Sequence, residues 1–232
     1  GAGDPGRGHP GDPLGEHVGI GGRDAQPVRR DVGDDGLESI ALRYFNVFGP
    51  RQAPEPMPTG YTNRWYLDPV FLGEYPDALG AMFGQAWPGF SAVDLEAIRA
   101  PIDFLGVNYY SRSVVREAPL RLPPGTARVW QNRSTHTRTH WEVYPDGLVE
   151  TLVGVRERYG DIPLYVTENG AAFYDPPVAD EDGVPDPLRV RYLKEHLRAA
   201  HRAIDRGVDL RGYYVWSLLD NFEWALGYSK RF

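Results

Sequence analysis

The sequence predicts an α/β fold in which parallel strands alternate with helices over residues 60–232. Three observations support this fold class. Short apolar runs of strand length recur along the chain, longer helical patterns separate them, and Gly, Pro or Asn stand at the junctions. Strands separated by helices of about 10–20 residues form βαβ units, and such units build a parallel sheet.

The first predicted elements of this region are a short helix and a strand. Ser91–Arg99 has a helical pattern, with Ser91 as its N-cap and Asp94 at the third helical position. Ile102–Tyr109 is apolar enough for a buried strand. The polar segment 111–140 predicts a long loop over the functional face of the sheet.

The remaining elements repeat this alternation. Asp146–Tyr159 is a predicted helix, and Pro163–Thr167 is a predicted strand. Residues 170–186, which are rich in Pro and Asp, predict a loop. Pro187–Asp205 predicts a long helix because Pro stands near its first turn, and Arg211–Leu218 predicts the last strand. The apolar stripe of the first of these helices consists of Leu148, Leu152, Val155 and Tyr159.

The N-terminal part of the chain differs in composition. Residues 1–35 hold ten Gly and four Pro and lack Tyr, Phe and Trp. Such a stretch buries too little apolar surface to offset its ordering entropy, so we expect a disordered or non-native segment. Residues 36–59 form a second, strand-like segment, because Ile40–Phe48 is apolar and aromatic and Gly49-Pro50 ends it.

Composition limits the partners and the location of the chain. A net charge of −7 argues against nucleic acid or an anionic membrane as a partner. There is no Cys, no apolar stretch of membrane-spanning length and no apolar signal core, so we expect a cytoplasmic protein. His136 and His140 lie in a polar loop without a Glu between them, and we expect solvated histidines, no metal and no cofactor.

The most informative stretch is Tyr165–Gly170, which reads YVTENG. A β-branched, apolar run ends in the carboxylate of Glu168, and the Asn-Gly pair after it suits a turn. A carboxylate at the carboxyl end of a buried parallel strand stands where barrel enzymes carry catalytic groups. The alternative is a strand-end Glu that caps the next segment.

Several longer motifs in register resemble glycoside hydrolase family 1, the β-glucosidase-like enzymes. The chain contains YVTENG at 165–170, DFLGVNYYS at 103–111, WEVYPDGL at 141–148, YYVWSLLDNFEW at 213–224 and NRWYLDPVFLGEYP at 63–76. The resemblance covers about residues 60–232. It implies the C-terminal half of a (β/α)8 TIM barrel and the retaining hydrolysis of terminal β-D-glycosides.

The resemblance also implies site residues. Glu168 matches the nucleophile, Tyr110 the hydroxyl donor beside it, and Asn108 an asparagine on the same strand, where alternate residues share a face. An acidic Glu223 implies a non-phosphorylated sugar, because a carboxylate would repel a 6-phosphate. The substrate-binding set implied by the family is Asn108, Trp141, Trp216, Glu223, Trp224 and Phe232.

One family motif is missing from the chain. The resemblance places the acid/base Glu in Thr-x-Asn-Glu-Pro, and no Asn-Glu-Pro occurs in the sequence. Glu55 precedes Pro56 but lacks the Asn and a strand that leads into it. We therefore expect hydrolysis to be impaired. The alternative is a non-catalytic fragment that binds sugar or is inert.

Residues 36–53 resemble a different family, the NAD-dependent sugar-nucleotide epimerases and dehydratases, through LRYFNVFGPRQ. That chemistry needs a Tyr-x-x-x-Lys pair upstream of the segment. The first Tyr is Tyr44 and the first Lys is Lys194, so the sequence does not favour an epimerase. The expected small-molecule partner is a β-glycoside or glucose, and a homo-oligomer is expected to cover the open barrel edges.

Overall fold

The computed structural model describes the chain mainly after residue 60. It describes residues 31–32, 38–39, 61–117, 126–175, 179, 181 and 183–232. The predicted strand Ile40–Phe48 and Glu55 lie outside these residues. Two short strands, β1 (Asp31–Val32) and β2 (Glu38–Ser39), pair with each other antiparallel.

Helices and strands alternate over the rest of the described chain. The helices are α1 (Tyr61–Phe71), α2 (Asp77–Phe83), α3 (Ala92–Ile98), α4 (Pro145–Tyr159) and α5 (Pro187–Asp205). The strands are β3 (Leu105–Asn108), β4 (Val115–Glu117), β5 (Thr126–Arg128), β6 (Leu164–Asn169) and β7 (Leu210–Val215). Two 3₁₀ turns span Gly84–Ala86 and Trp224–Leu226. Within the described ranges, no helix has the length and apolar character needed to cross a membrane.

A three-stranded parallel sheet organises the structure and confirms the α/β prediction. Its strands lie in the order β3-β6-β7, and both neighbouring pairs are parallel. Asn108 of β3 pairs in register with Glu168 of β6, and Val166 of β6 pairs with Tyr213 of β7. The carboxyl ends of all three strands therefore lie at one edge of the sheet.

Helices α4 and α5 cover one face of this sheet. The strands direct Leu, Val and Tyr side chains toward this face, and the helices add Leu, Val and Ala. The buried cluster includes Leu105, Val107, Leu148, Leu152, Leu164, Val166, Ala199 and Ala203. The opposite face is open, because Thr167 is exposed and Tyr214 is 58% exposed.

The structure corrects several of the predicted boundaries, since β3 begins at Leu105 rather than Ile102 and β7 ends at Val215 rather than Leu218. Strand β6 does not end at Thr167 but continues through Glu168 to Asn169, because backbone pairing extends to the neighbouring strands. The predicted loop 111–140 contains β4 and β5, which pair antiparallel as a small separate sheet. Polar composition concealed this strand pair, since neither three-residue strand contains an apolar run.

The cap predicted at α3 is present as a capping box. The Ser91 hydroxyl accepts from the Asp94 amide at 3.2 Å, and the Asp94 carboxylate accepts from the Ser91 amide at 2.8 Å. Two backbone donors that the first helical turn leaves unpaired are thereby satisfied.

A buried carboxylate joins α1 to α4. Asp68 accepts hydrogen bonds from Arg64 on its own helix and from Arg158 and Tyr159 on α4, at 2.7–3.0 Å. Burial alone would raise the pKa of Asp68, but these three donors outweigh it and hold the pKa below its usual value. The charge therefore stays paired inside the interface between these helices.

His196 is buried in the middle of α5. Its Nδ1 lies 2.8 Å from the Tyr192 carbonyl one turn earlier, and its ring stacks on the Tyr192 ring at 3.9 Å between centroids. Burial lowers the pKa of His196 to about 4, outweighing that hydrogen bond and the nearby charge of Glu195. The imidazole is therefore neutral in the folded protein near neutral pH.

This buried histidine predicts an acid-sensitive stability. The folded pKa of about 4 lies below the unfolded value of 6.5, so the unfolded chain takes up the proton first. We expect the contribution of neutral His196 to the free energy of unfolding to be complete above pH 6.5. As the pH drops to 4, the free energy of unfolding should fall by about 3 kcal/mol. Urea denaturation across this range, followed by circular dichroism, measures the change.

Two variants on α5 identify the group responsible. His196→Asn should remove most of the slope between pH 6.5 and 4, while Leu197→Asn, at an exposed position on the same helix, should leave it unchanged. The paired carboxylates Asp68 and Glu142 lose their protonation-linked stability at lower pH, because their pKa values are lowered. An NMR titration in the folded protein that gives His196 an ordinary pKa would contradict the prediction.

Candidate functional site

The candidate site lies at the edge where the three parallel strands end. Tyr110 stands two residues after the end of β3, Glu168 lies near the end of β6, and Trp216 follows directly after β7. Both strand pairs are parallel, and the chain returns from each strand to the next through α4 or α5, so the carboxyl ends meet at one edge. Fold topology therefore gathers polar and aromatic groups that lie far apart in the sequence.

Glu168 and Tyr110 form the centre of the site. The Tyr110 hydroxyl donates to Glu168 Oε2 at 2.8 Å, and both side chains are half-buried. Burial raises the pKa of Tyr110 far above its usual value, and the hydrogen bond and charge of Glu168 raise it further. Tyr110 is thus a permanent donor to one oxygen of the carboxylate.

A second carboxylate, Glu223, lies near the first. Partial burial raises the pKa of Glu223, the charge of Glu168 adds to this effect, and a hydrogen bond from the Trp216 side chain opposes it. The backbone of Glu223 is fixed by paired hydrogen bonds with Gly227, at 3.0 and 2.9 Å. The charge of Glu168 therefore acts on a second carboxylate at this edge of the sheet.

Three aromatic rings form a wall beside the carboxylates. The ring centroids of Tyr110 and Trp141 lie 5.1 Å apart, and Phe232 lies 6.1 Å from each of them. The rings meet at angles of 52–77°, as in tilted and edge-to-face aromatic contacts. Such a wall offers apolar surface next to a polar centre, a combination typical of small-molecule sites.

The segment that carries Trp141 is held by a buried ion pair. Arg112 donates to both oxygens of Glu142, at 2.8 and 3.0 Å, and Ser134 donates to the same carboxylate at 2.6 Å. Burial would raise the pKa of Glu142, but these hydrogen bonds hold it below its usual value. The guanidinium also lies 3.5 Å from the centre of the Tyr144 ring.

Two of the predicted site residues lie at the margin of this cluster. Asn108 is buried beside Glu168 in register, and its Oδ1 accepts from the Thr167 hydroxyl at 2.6 Å. Trp224 lies in the second 3₁₀ turn, next to Glu223, with 67% of its surface exposed. The structure thus brings Tyr110, Trp141, Trp216, Glu223 and Phe232 around Glu168.

Asn169 has a role that the sequence prediction missed. Its side chain is fully buried and donates to the Tyr109 carbonyl at 2.7 Å and to the Tyr192 hydroxyl at 3.1 Å. The Tyr213 hydroxyl donates to its amide oxygen. The sequence prediction assigned Asn169 to a turn. Tyr192 on the next helix and Tyr213 on the next strand were the only sequence signal for a buried partner of Asn169. Single tyrosines are common in protein cores, so they did not indicate this contact.

Gly170 explains how the ends of β6 and β7 approach so closely. A Cβ at this position would lie 1.6 Å from the Trp216 carbonyl oxygen, a distance that no side chain can occupy. The Trp216 amide donates to the Asn169 carbonyl at 2.9 Å, and the Trp216–Ser217 peptide bond is cis. The glycine is therefore required for close backbone contact rather than for a positive φ.

Comparison with known proteins places this geometry in a family. The family model of glycosyl hydrolase family 1 matches residues 52–232. The chain is 44% identical over 186 residues to the bifunctional β-D-glucosidase/β-D-fucosidase of Bifidobacterium breve, which covers 73% of the chain and 40% of that protein. It is 48% identical over 172 residues to the thermostable β-glucosidase B of Thermobispora bispora, which covers 73% of the chain and 36% of that protein.

Solved structures give the same result. The family 1 β-glucosidase from Thermotoga maritima superposes with a TM-score of 0.67 and 44% identity, covering 73% of this chain and 38% of that one. The same organism's enzyme with a cyclophellitol analogue superposes at 0.68 with 42% identity, covering 73% and 37%.

These relatives are (β/α)8 barrels, so the parallel strands and helices described here form part of a barrel, as predicted. The chain spans about two fifths of the length of the curated relatives it matches, 36–40%. The family match covers more than half of the chain, and the strand-end carboxylate lies within it. The chain belongs to glycosyl hydrolase family 1.

Proposed function

We propose that this chain carries the nucleophile half of a retaining β-glycosidase site that acts on terminal, non-phosphorylated β-D-glycosides. The observation that carries the proposal is the 2.8 Å hydrogen bond from Tyr110 to Glu168, at the carboxyl edge of a parallel sheet. A half-buried carboxylate with a fixed donor on one oxygen is suited to attack an anomeric carbon with the other.

The proposed reaction begins with attack by Glu168. The carboxylate forms a bond to the anomeric carbon while the bond from that carbon to the aglycone oxygen breaks, and the electron pair leaves with that oxygen. Tyr110 stays protonated because burial and the Glu168 charge raise its pKa, so it orients the carboxylate without competing as a base. A water oxygen then bonds to the anomeric carbon, the bond from that carbon to the Glu168 oxygen breaks with its electron pair returning to the carboxylate, and the proton of the water passes to solvent, which makes this step slow without an assigned base.

The neighbouring groups support binding of an uncharged sugar. Glu223 can accept hydrogen bonds from adjacent sugar hydroxyls, and Trp216 donates to it and fixes its position. A carboxylate here would repel a phosphate group, which supports a non-phosphorylated substrate. Trp141 and Phe232 supply apolar surface for the ring and aglycone, and we assign Asn108 and Trp224 to the rim of the same site.

Solved relatives bind molecules of the expected size. Structures of the Thermotoga maritima β-glucosidase contain castanospermine and deoxynojirimycin. The chain is 43% identical to each of these proteins over 73% of its length. This likeness supports a sugar-sized, polyhydroxylated ligand at the Glu168 site.

The chain does not contain the acid/base motif of the family. No Asn-Glu-Pro occurs in the sequence, so no residue is assigned to protonate the leaving oxygen. General acid–base assistance contributes about 10²–10⁴-fold, and we expect glycosides with poor leaving groups to react slower by that factor. The second candidate function, sugar binding without turnover, is favoured by this same absence.

A trapping reagent separates the two functions. A 2-deoxy-2-fluoro-β-glucoside with a dinitrophenyl leaving group needs no acid catalyst, because dinitrophenolate departs unprotonated. We expect intact mass spectrometry to find one sugar adduct, and peptide mapping to locate it on Glu168. Glu168→Gln should form none, because an amide is a poor nucleophile. A folded wild-type chain that binds glucose but forms no adduct would support the binding function instead.

Removal of the Tyr110 hydroxyl should slow the trapping reaction. A hydrogen bond to a charged group contributes about 1.5–3 kcal/mol, so Tyr110→Phe should lower the trapping rate about 10- to 100-fold. Stopped-flow release of dinitrophenolate measures the rate. Tyr214→Phe, at an exposed position on β7, is the matched control and should react at the wild-type rate. Equal trapping rates for the wild type, Tyr110→Phe and Tyr214→Phe would show that the Tyr110 hydroxyl does not contribute to the reaction.

We also propose that a second copy covers the open side of the sheet. Beyond β7 the chain exposes a set of large apolar side chains: Leu218, Leu219, Phe222, Trp224, Leu226 and Tyr228. Contiguous apolar surface of this kind is characteristic of association sites, and β7 pairs only with β6 among the described strands.

Light scattering tests this association. We expect twice the chain mass for the wild type and a monomer for Leu218→Asp, because Leu218, at 95%, is the most exposed of these six side chains. Leu188→Asp, on the exposed side of α5, should remain a dimer. A monomeric wild type would refute the proposal.

The epimerase-like resemblance of residues 36–53 concerns only the origin of this segment. The family match begins at residue 52, and we propose that the segment before it, within residues 36–53, derives from an epimerase-like sequence.

A further inference from the structure

Phe232 reaches the site from a segment that is itself neither strand nor helix. It belongs to segment 227–232, which follows the second 3₁₀ turn and has no helix or strand of its own. Its ring nevertheless lies 6.1 Å from the rings of both Tyr110 and Trp141. Contacts from other elements must therefore hold this segment against the site.

The main contact comes from Arg189 in the first turn of α5. Its Nη2 donates to the Arg231 carbonyl at 2.7 Å and to the Phe173 carbonyl at 3.2 Å. Its Nη1 donates to Asp175 at 3.0 Å and to Asp186 at 2.8 Å. The side chain is only 14% exposed, so the guanidinium is enclosed between the helix, the segment after β6 and segment 227–232.

Two further contacts complete the attachment. Asp175 also accepts from Arg231 Nη1 at 3.2 Å, so both the backbone and the side chain of Arg231 are held. Arg138 donates to the Ser229 carbonyl, and its own amide donates to the Ala172 carbonyl at 2.7 Å. Segment 227–232 is thus tied at two points to the segment that directly follows Glu168 and Asn169.

We propose that Arg189 is a positioning residue of the sugar site. Its guanidinium fixes Arg231, and Arg231 in turn fixes the adjacent Phe232 as a wall against Tyr110 and Trp141. The proposal rests on the proposed function, because the site that Phe232 lines is the Glu168 site. Arg189 itself contacts neither Glu168 nor Tyr110, and it acts on the site through Phe232.

The chemistry of arginine explains why this residue type stands here. The planar guanidinium presents several N–H groups in a fixed fork, so it can serve two carboxylates and two carbonyls at once. A lysine ammonium has three donors on a flexible stem and cannot serve all four acceptors in the same geometry. Charge-assisted hydrogen bonds of this kind also hold a segment more firmly than neutral ones do.

A double-mutant cycle tests the proposal on the wild-type chain and three variants. The variants are Arg189→Ala, Phe232→Ala and the double variant, and the dinitrophenyl 2-fluoroglucoside is the probe. Each single variant should raise the Ki of the probe by about 10-fold, the size expected for loss of one aromatic contact, with little change in the trapping rate at saturation. In the Phe232→Ala background, Arg189→Ala should have no further effect, because its effect passes through Phe232.

Two control variants and a hydrogen-exchange measurement distinguish a specific role of Arg189 from a general effect of changing α5. Arg191→Ala, at an exposed position on the same helix, should match the wild type, and Arg189→Lys should show an intermediate Ki. Hydrogen exchange of residues 227–232 should accelerate in Arg189→Ala and not in Arg191→Ala. Additive effects on Ki, or unchanged exchange in Arg189→Ala, would overturn the proposal. If the wild-type chain forms no adduct, the proposed function fails, while the exchange measurement still tests the role of Arg189.

Discussion

The buried side chain of Asn169 is the constraint on which the site depends. It bonds the Tyr109 carbonyl after β3, the Tyr192 hydroxyl on α5 and the Tyr213 hydroxyl on β7. A buried amide without partners is costly, so the fold is stable only when all three elements stand at hydrogen-bond distance from β6. Glu168 precedes Asn169 directly, and the same network that satisfies the amide therefore fixes the carboxylate. The same hydrogen bonds of Asn169 thus stabilise the core and set the position of Glu168.

The sheet separates the helix-covered core from the side that carries the candidate site. Helices α4 and α5 bury the Leu and Val side chains of one face. The opposite face carries the exposed side chains of Thr167 and Tyr214, while the two carboxylates lie at the strand ends, where contact with a ligand is possible. The helical face, in contrast, would place a carboxylate among apolar side chains, where burial disfavours its charged form. The difference between the faces follows from the alternation of side chains along each strand.

Elements with a strong periodic pattern were predictable from the sequence, and elements defined by tertiary contacts were not. Helix α5 has the predicted bounds Pro187–Asp205, because proline at its start and an amphipathic pattern act locally. The predicted end of β6 was wrong, since Asn-Gly is a turn signal that buried hydrogen bonds override here. The proximity of Glu168 and Tyr110 followed from strand polarity and family resemblance. The roles of Asn169 and Arg189 did not, because each depends on partners that no local pattern brings together.

The hydrogen bonds of the site join residues that are distant in the chain, and this has a consequence for folding kinetics. Tyr110 and Glu168 are 58 residues apart, and Arg138 and Ser229 are 91 apart. Closing such long loops costs entropy before any contact repays it, and parallel strand pairs form late for the same reason. Helices α4 and α5 can form from local contacts well before the strand ends converge. The Glu168 carboxylate therefore acquires its Tyr110 donor late in folding, after the helices that cover the sheet have formed.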